Sequence, residues 1–170
     1  MFKSACAALL LCLSCFSFAM YDKAPEQELK LAPGHWTGQL TYRDYSKPDQ
    51  MVTLATELYV AMSSPNELTL QYVFNDGPGK TVYSYEKMSF DFETKTLLWQ
   101  SGGEEPSKAT LKEVKTTAEG SLIRFEVASK DQINSYSLLL EKSRFRLEKQ
   151  ELVAGKAALL RNSFEFNRKG

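Results

Sequence analysis

The chain has 170 residues, 43% of them hydrophobic, with 21 basic and 21 acidic side chains and a formal net charge of zero. That length amounts to one domain and suffices to bury a hydrophobic core. With no basic field to attract a phosphate backbone, nucleic acid is not expected as a partner.

Residues 1–19 form an expected signal peptide. Lys3 supplies an early positive charge, Ala5 to Ala19 carry none, and Ser17-Phe18-Ala19 offers small residues at a cleavage site. The apolar run is short for a membrane span and has no basic stop behind it. Export to a periplasm or to the outside is therefore expected, with cleavage after Ala19. All three cysteines, Cys6, Cys12 and Cys15, fall in this segment, so the mature chain would lack a disulfide, a thiolate metal site and a cysteine nucleophile. Lipid attachment at Cys15 fits poorly, because Cys12 stands three positions before it where leucine is usual, and bulky Phe16 and Phe18 follow. Cleavage would leave 151 residues with 20 basic and 21 acidic side chains, a formal net charge of −1.

Residues 20–33 read as a polar N-terminal extension, punctuated by Pro25 and Pro33. From residue 34 to 170 the pattern is that of one β domain. Trp36, Gly38, Leu40 and Tyr42 share one face of a strand, opposite Thr37, Gln39, Thr41 and Arg43. Val52, Leu54, Thr56, Leu58 and Val60 repeat the alternation, as do Leu68, Leu70, Tyr72 and Phe74. Turn signals separate them at Tyr45–Asp49, Ser63–Asn66 and Asn75–Gly79. Further strands are expected at about Lys80–Phe90, Leu97–Trp99, Ala109–Thr116, Leu122–Ala128, Ile133–Glu141, Arg144–Glu148 and Leu159–Phe166. Short helices are expected only near residues 25–31 and 149–157.

Nine or ten consecutive strands joined by short turns predict an all-β antiparallel meander, closed into a single barrel of about eight to ten strands. Closure removes the edges that would pair with other chains. A two-sheet sandwich is the main rival. A membrane barrel fits less well, because Gln, Arg, Glu and Lys occupy the face opposite the apolar rows.

Gly34-His35-Trp36 followed by a strand resembles the G-x-W signature of lipocalins and related calycin barrels. The resemblance implies that Trp36 closes one end of a barrel, with a basic side chain from the last strand across its ring. Arg161 and Arg168 are the candidates, and Arg161 is preferred because it opens the final strand. A cation over an aromatic face contributes roughly 0.5–2 kcal/mol. The many strands and scarce helix favour a ten-stranded lipocalin-like calycin over the eight-stranded secreted lipocalin. The resemblance also implies an interior that holds a lipid, a pigment or another apolar molecule.

Tyr42, Tyr72, Phe74, Tyr83 and Tyr85 are the candidate ligand-lining residues, since their rings combine apolar area with phenolic donors; the same rings would equally serve as a filled core. Arg124 shares a face with Leu122 and Glu126, opposite Ile123, Phe125 and Val127, so it enters a cavity only through a twist or bulge. Arg144 and Arg146 default to solvent, although any of these arginines would pair with a fatty-acid carboxylate. His35 is the only histidine, which leaves no paired histidines for zinc. Haem-binding relatives of the calycin group use a late histidine, and this chain has none there. No cofactor or metal is expected. Glu104-Glu105 reads as solvated loop charge, and Asp44 with Asp49 as turn oxygens.

Phosphate-gripping, zinc-protease and serine-elbow motifs are absent from the sequence. Reversible binding or carriage of an apolar or amphipathic molecule is the leading expectation. A structural or protein-interaction module, with peripheral association to a cell envelope, comes second. An enzyme using His35 beside a carboxylate comes third. Oligomeric state is left open.

Overall fold

Period-two patterning leaves each strand with one apolar face, and ten such strands bury those faces by curling into a closed wall. The computed structural model describes residues 29–129 and 132–170; the expected signal peptide and most of the N-terminal extension lie outside these. The strands are β1 (Gly34–Arg43), β2 (Met51–Ser64), β3 (Glu67–Asn75), β4 (Thr81–Asp91), β5 (Thr96–Ser101), β6 (Ser107–Thr116), β7 (Gly120–Ala128), β8 (Ile133–Glu141), β9 (Arg144–Leu152) and β10 (Leu159–Arg168). Each pairs antiparallel with its neighbours in sequence, and β10 pairs with β1, so the meander closes into one barrel. The closed ten-stranded wall excludes the sandwich.

The helix expected near residues 149–157 is replaced by strand and turn. β9 runs on to Leu152, with Lys149 opposite Tyr136 and Asn162, and only the stretch after it turns. The ladder partners on both sides satisfy the backbone here, and that outweighs the helix-favouring Lys-Gln-Glu-Leu composition.

The two halves of the interior differ. Register places Trp36, Leu58, Leu68, Met88, Leu97, Ile123, Leu140, Phe145 and Phe166 toward one end, and all are buried. Leu29 and Ala32, on the turn that precedes β1, are also fully buried and plug that end. The opposite half carries Tyr42, Phe74, Val82, Trp99, Tyr136, Asn162 and Phe164, none of them fully buried. The barrel is therefore packed at the Trp36 end and hollow at the other.

Gly38 makes part of this closure achievable. A Cβ there would meet the Glu165 carbonyl oxygen at 1.9 Å, so only glycine lets β1 lie this close to β10. Gly34 adopts φ +138°, and the Arg168 guanidinium fills the space where its Cβ would stand, 2.6 Å away.

Candidate functional site

Trp36 anchors the packed end. Its indole Nε1 donates to the Ala32 carbonyl at 2.8 Å, and the ring is fully buried. The cation over it is Arg168, with the guanidinium carbon 4.0 Å from the ring centre. This corrects the preference for Arg161. β1 and β10 are antiparallel, so the start of β1 meets the end of β10, and Trp36 lies opposite Arg168. Arg168 also donates to the carbonyls of Lys142 at 2.6 Å, Pro33 at 2.8 Å and Leu31. Arg161 sits at the other end, at a bulge between Leu160 and Asn162. There it pairs with Glu151 at 3.1 Å and covers the Tyr45 ring at 5.2 Å.

The hollow half holds two adjoining cavities that share Asn162 and Phe164. One, of about 390 Å³, is walled by Leu40, Tyr42, Leu54, Phe74, Val82 and Phe164, with Tyr45 and Asp76 at its rim. The other, of about 310 Å³, is more polar and is lined by Glu86, Trp99, Tyr136, Lys149 and Asn162, with Glu104 and Glu105 from the loop after β5. These volumes lie in the range of small-molecule sites, and the arrangement is amphipathic, with an aromatic compartment beside a charged one.

Glu86 is the distinctive group of the polar compartment. It lies opposite Leu70 on β3 and Ser101 on β5, which aims it inward. Trp99 Nε1 donates to its Oε2 at 3.2 Å, and the Tyr72 hydroxyl makes a long contact to the same oxygen at 3.5 Å. Burial pushes its pKa from 4.5 up to about 7, against the opposing pull of these two donors. Tyr136 stacks on Phe125 with centroids 4.9 Å apart and meets Trp99 edge to face at 4.7 Å. Burial first, then the charges of Glu86 and Glu151, raise the Tyr136 phenol to about 12. It therefore faces the cavity as a neutral donor. Lys149 Nζ lies 5.9 Å from the Tyr136 ring centre.

Of the candidate ligand-lining residues, Tyr42 and Phe74 wall the aromatic cavity. Tyr72 lies beneath it, buried and packed on Phe164 at 4.8 Å, with its hydroxyl toward Glu86. Tyr83 and Tyr85 are on the outer wall, 60% and 52% exposed, which corrects their assignment to the interior. Phe90 and Met88 face inward, so strict alternation puts Glu86, Ser84 and Val82 inside and the tyrosines outside. Arg124 is also outside, 2.6 Å from Glu113 across the β6–β7 ladder, and no twist carries it inward. Arg144 and Arg146 face outward too, near Glu141 at 3.8 Å and Glu148 at 3.6 Å.

His35 does lie beside a carboxylate. Its Nε2 is 2.7 Å from Glu57 Oε2, its ring stacks on Tyr59 at 4.2 Å, and the Tyr59 hydroxyl donates to the same carboxylate at 2.8 Å. This cluster sits on the outer face of β1 and β2, where its polar groups satisfy one another instead of converging on the barrel cavity. Asp44 accepts the backbone N–H groups of Ser46 at 2.7 Å and Lys47 at 3.1 Å, the arrangement of an Asx turn.

Sequence reasoning missed Glu86, Trp99, Tyr136, Lys149, Asn162 and Phe164 as site residues. A usable signal was present. Stepping back by twos from Phe90 reaches Glu86, from Leu140 and Leu138 reaches Tyr136, and forward from Phe145 and Leu147 reaches Lys149.

No protein-family model matches the chain, and no curated protein matches it. Among solved structures, the chain is similar to Rv2717c from M. tuberculosis, with a TM-score of 0.64 and 12% identity over 87% of this chain and 99% of that one. It is also similar to the S-type phycobiliprotein lyase CPES from Guillardia theta, with a TM-score of 0.59 and 6% identity over 88% of this chain and 94% of that one. At such identities the likeness establishes the closed antiparallel β-barrel, and the chemistry must be read from this chain's own cavity.

Proposed function

We propose that this protein is an exported, lipocalin-like barrel that reversibly binds an amphipathic small molecule in its hollow half and carries no catalytic role. The observation that supports this best is the pair of adjoining cavities meeting at Phe164 and Asn162, one aromatic and one charged. Desolvating an apolar body against Leu40, Leu54, Phe74 and Phe164 supplies affinity, at roughly 25 cal/mol per Å² of apolar surface buried. Glu86, Tyr136 and Lys149 fix the orientation of a polar end. With the expected export signal, this activity would lie in a periplasm or outside the cell.

The test is native mass spectrometry of gently isolated protein, followed by titration of the emptied barrel with lipophilic fluorophores. A retained molecule or saturable binding is expected. Phe164→Ala should weaken binding, whereas Tyr83→Ser and Tyr85→Ser should leave it unchanged. Equal effects of the inner and outer substitutions, or no binding at all, would remove the reading.

A second reading draws on the outer wall. Tyr59, Gln71 and Tyr85 are successive ladder partners across β2, β3 and β4, and Tyr83 lies alongside, next to Val73. These exposed rings suit a protein-contact surface on a non-enzymatic module of the cell envelope. In that case the outer tyrosine substitutions, and not Phe164→Ala, would alter association.

A further inference from the structure

The polar cavity has a sign and a wall chemistry that narrow the kind of ligand head it accepts. Glu86 enters from β4 without a cation beside it among the described residues; its close partners are the indole N–H of Trp99 and the Tyr72 hydroxyl. The other groups facing this space are Ser101 from β5, Glu104 and Glu105 from the following loop, Tyr136 from β8, Lys149 from β9 and Asn162 from β10. Carboxylates thus outnumber the one lysine, and the nearby Glu151 is already paired with Arg161 at 3.1 Å. Trp99 and Tyr136 meet edge to face at 4.7 Å beside Glu86. Phe125 stacks on Tyr136 and Lys149 lies over its ring, so the Trp99 indole and the Glu86 carboxylate are the groups left to attract a desolvated cation.

We propose that the polar cavity receives the cationic nitrogen of an arylalkyl amine, with Glu86 as counter-ion, Trp99 and Tyr136 as walls, and the ligand's ring in the neighbouring aromatic cavity. This rests on the ligand-binding reading and adds the class of ligand to it. Because burial holds the Glu86 pKa near 7, an arriving ammonium group binds the ionised form and displaces its proton. Amine affinity should therefore rise with pH. Tyr136 stays protonated throughout, since its own pKa is raised to about 12.

The experiment titrates the purified protein with naphthylmethylamine, naphthylmethanol and naphthoic acid, three probes sharing one ring system, by calorimetry at several pH values. The amine should bind at least tenfold more tightly than the alcohol at about pH 8, and its affinity should fall about tenfold on going to about pH 6, while the alcohol stays constant. Glu86→Gln should abolish both the preference for the amine over the alcohol and the pH dependence. Amine and alcohol binding equally, or an amine preference that survives Glu86→Gln, would overturn the proposal while leaving the cavity as a binding site. Preference for naphthoic acid, lost in Lys149→Met, would overturn it in favour of an anionic head. Failure of all three probes to bind would count against the ligand-binding reading itself. The pH dependence of the unaltered protein tests the proposal without any variant.

Discussion

Replacing Glu86 with glutamine should make the protein more stable at alkaline pH, and the size of the gain follows from the buried carboxyl. Its pKa is 4.5 in an ordinary setting and about 7 in the folded barrel, with burial as the main cause. Below the lower value the group is protonated in both states and imposes no cost. Between the two, the folded protein retains a proton that the unfolded chain releases, so stability falls as pH rises; above about 7 the full cost is present. At about 1.36 kcal/mol per tenfold change in proton affinity, the interval corresponds to about 3 kcal/mol, of which about 2 kcal/mol falls between about pH 5.5 and pH 8.5. The figure is an upper value, because the carboxyl faces a cavity that water can enter. Glutamine has nearly the same shape and keeps an acceptor for Trp99 Nε1, so the hydrogen bond is retained while the ionisation is lost. Urea unfolding of both proteins across this range is the assay. The stability of the variant relative to the parent should climb by up to about 2 kcal/mol toward the alkaline end. A difference that stays flat with pH, or a variant less stable than the parent at alkaline pH, would refute the account of Glu86 as a carboxyl whose ionisation strains the fold.

Arg168→Ala should destabilise the barrel by about 2 kcal/mol or more, since it removes a cation–π contact together with hydrogen bonds to three carbonyls, whereas Arg161→Ala, which loses one ion pair and a contact over the Tyr45 ring, should cost less. Denaturant midpoints of the two variants test this, and the reverse order would show that the packed end is held by something else. Gly38→Ala should cost on the order of 3 kcal/mol or prevent folding, because the new methyl would lie on the Glu165 carbonyl; thermal melts and soluble yield report it. On the acid side, hydrogen bonds from Ser63 and Ser89 and the ammonium of Lys87 hold the Glu67 pKa down at about 2. Its contribution is present above about 4.5 and is lost as pH falls toward about 2, so the stability deficit of Glu67→Gln at neutral pH should vanish with acidification in the same urea assay.

Alternation along each strand was enough to read the β class, the turns and much of the inward row from Trp36 to Tyr42, Leu54 to Val60 and Leu68 to Phe74. These segments have apolar residues on one face only, so the hydrophobic effect leaves one orientation open to them. In β4, large tyrosines at 83 and 85 compete with Val82, Ser84 and Glu86 for the inward face, and composition favours the wrong row. Pairing with β3 decides between them, since one step of register moves every side chain to the other face. Local reading went astray in the same way at Lys149, where a helix-like composition is overruled by partners on both sides of β9.

What the sequence determined by itself is a chain of short amphipathic strands that must close, with a glycine and a tryptophan marking where closure begins. Which arginine covers that tryptophan, which end is filled and where Glu86 meets Trp99 and Tyr136 were decided only by the tertiary structure. The reason is geometric. Antiparallel closure fixes which strand ends meet, and Trp36 and Arg168 lie at opposite ends of the sequence of the barrel. The cavity likewise draws its walls from strands far apart in sequence, whose neighbourhood exists only once the ring of hydrogen bonds is complete.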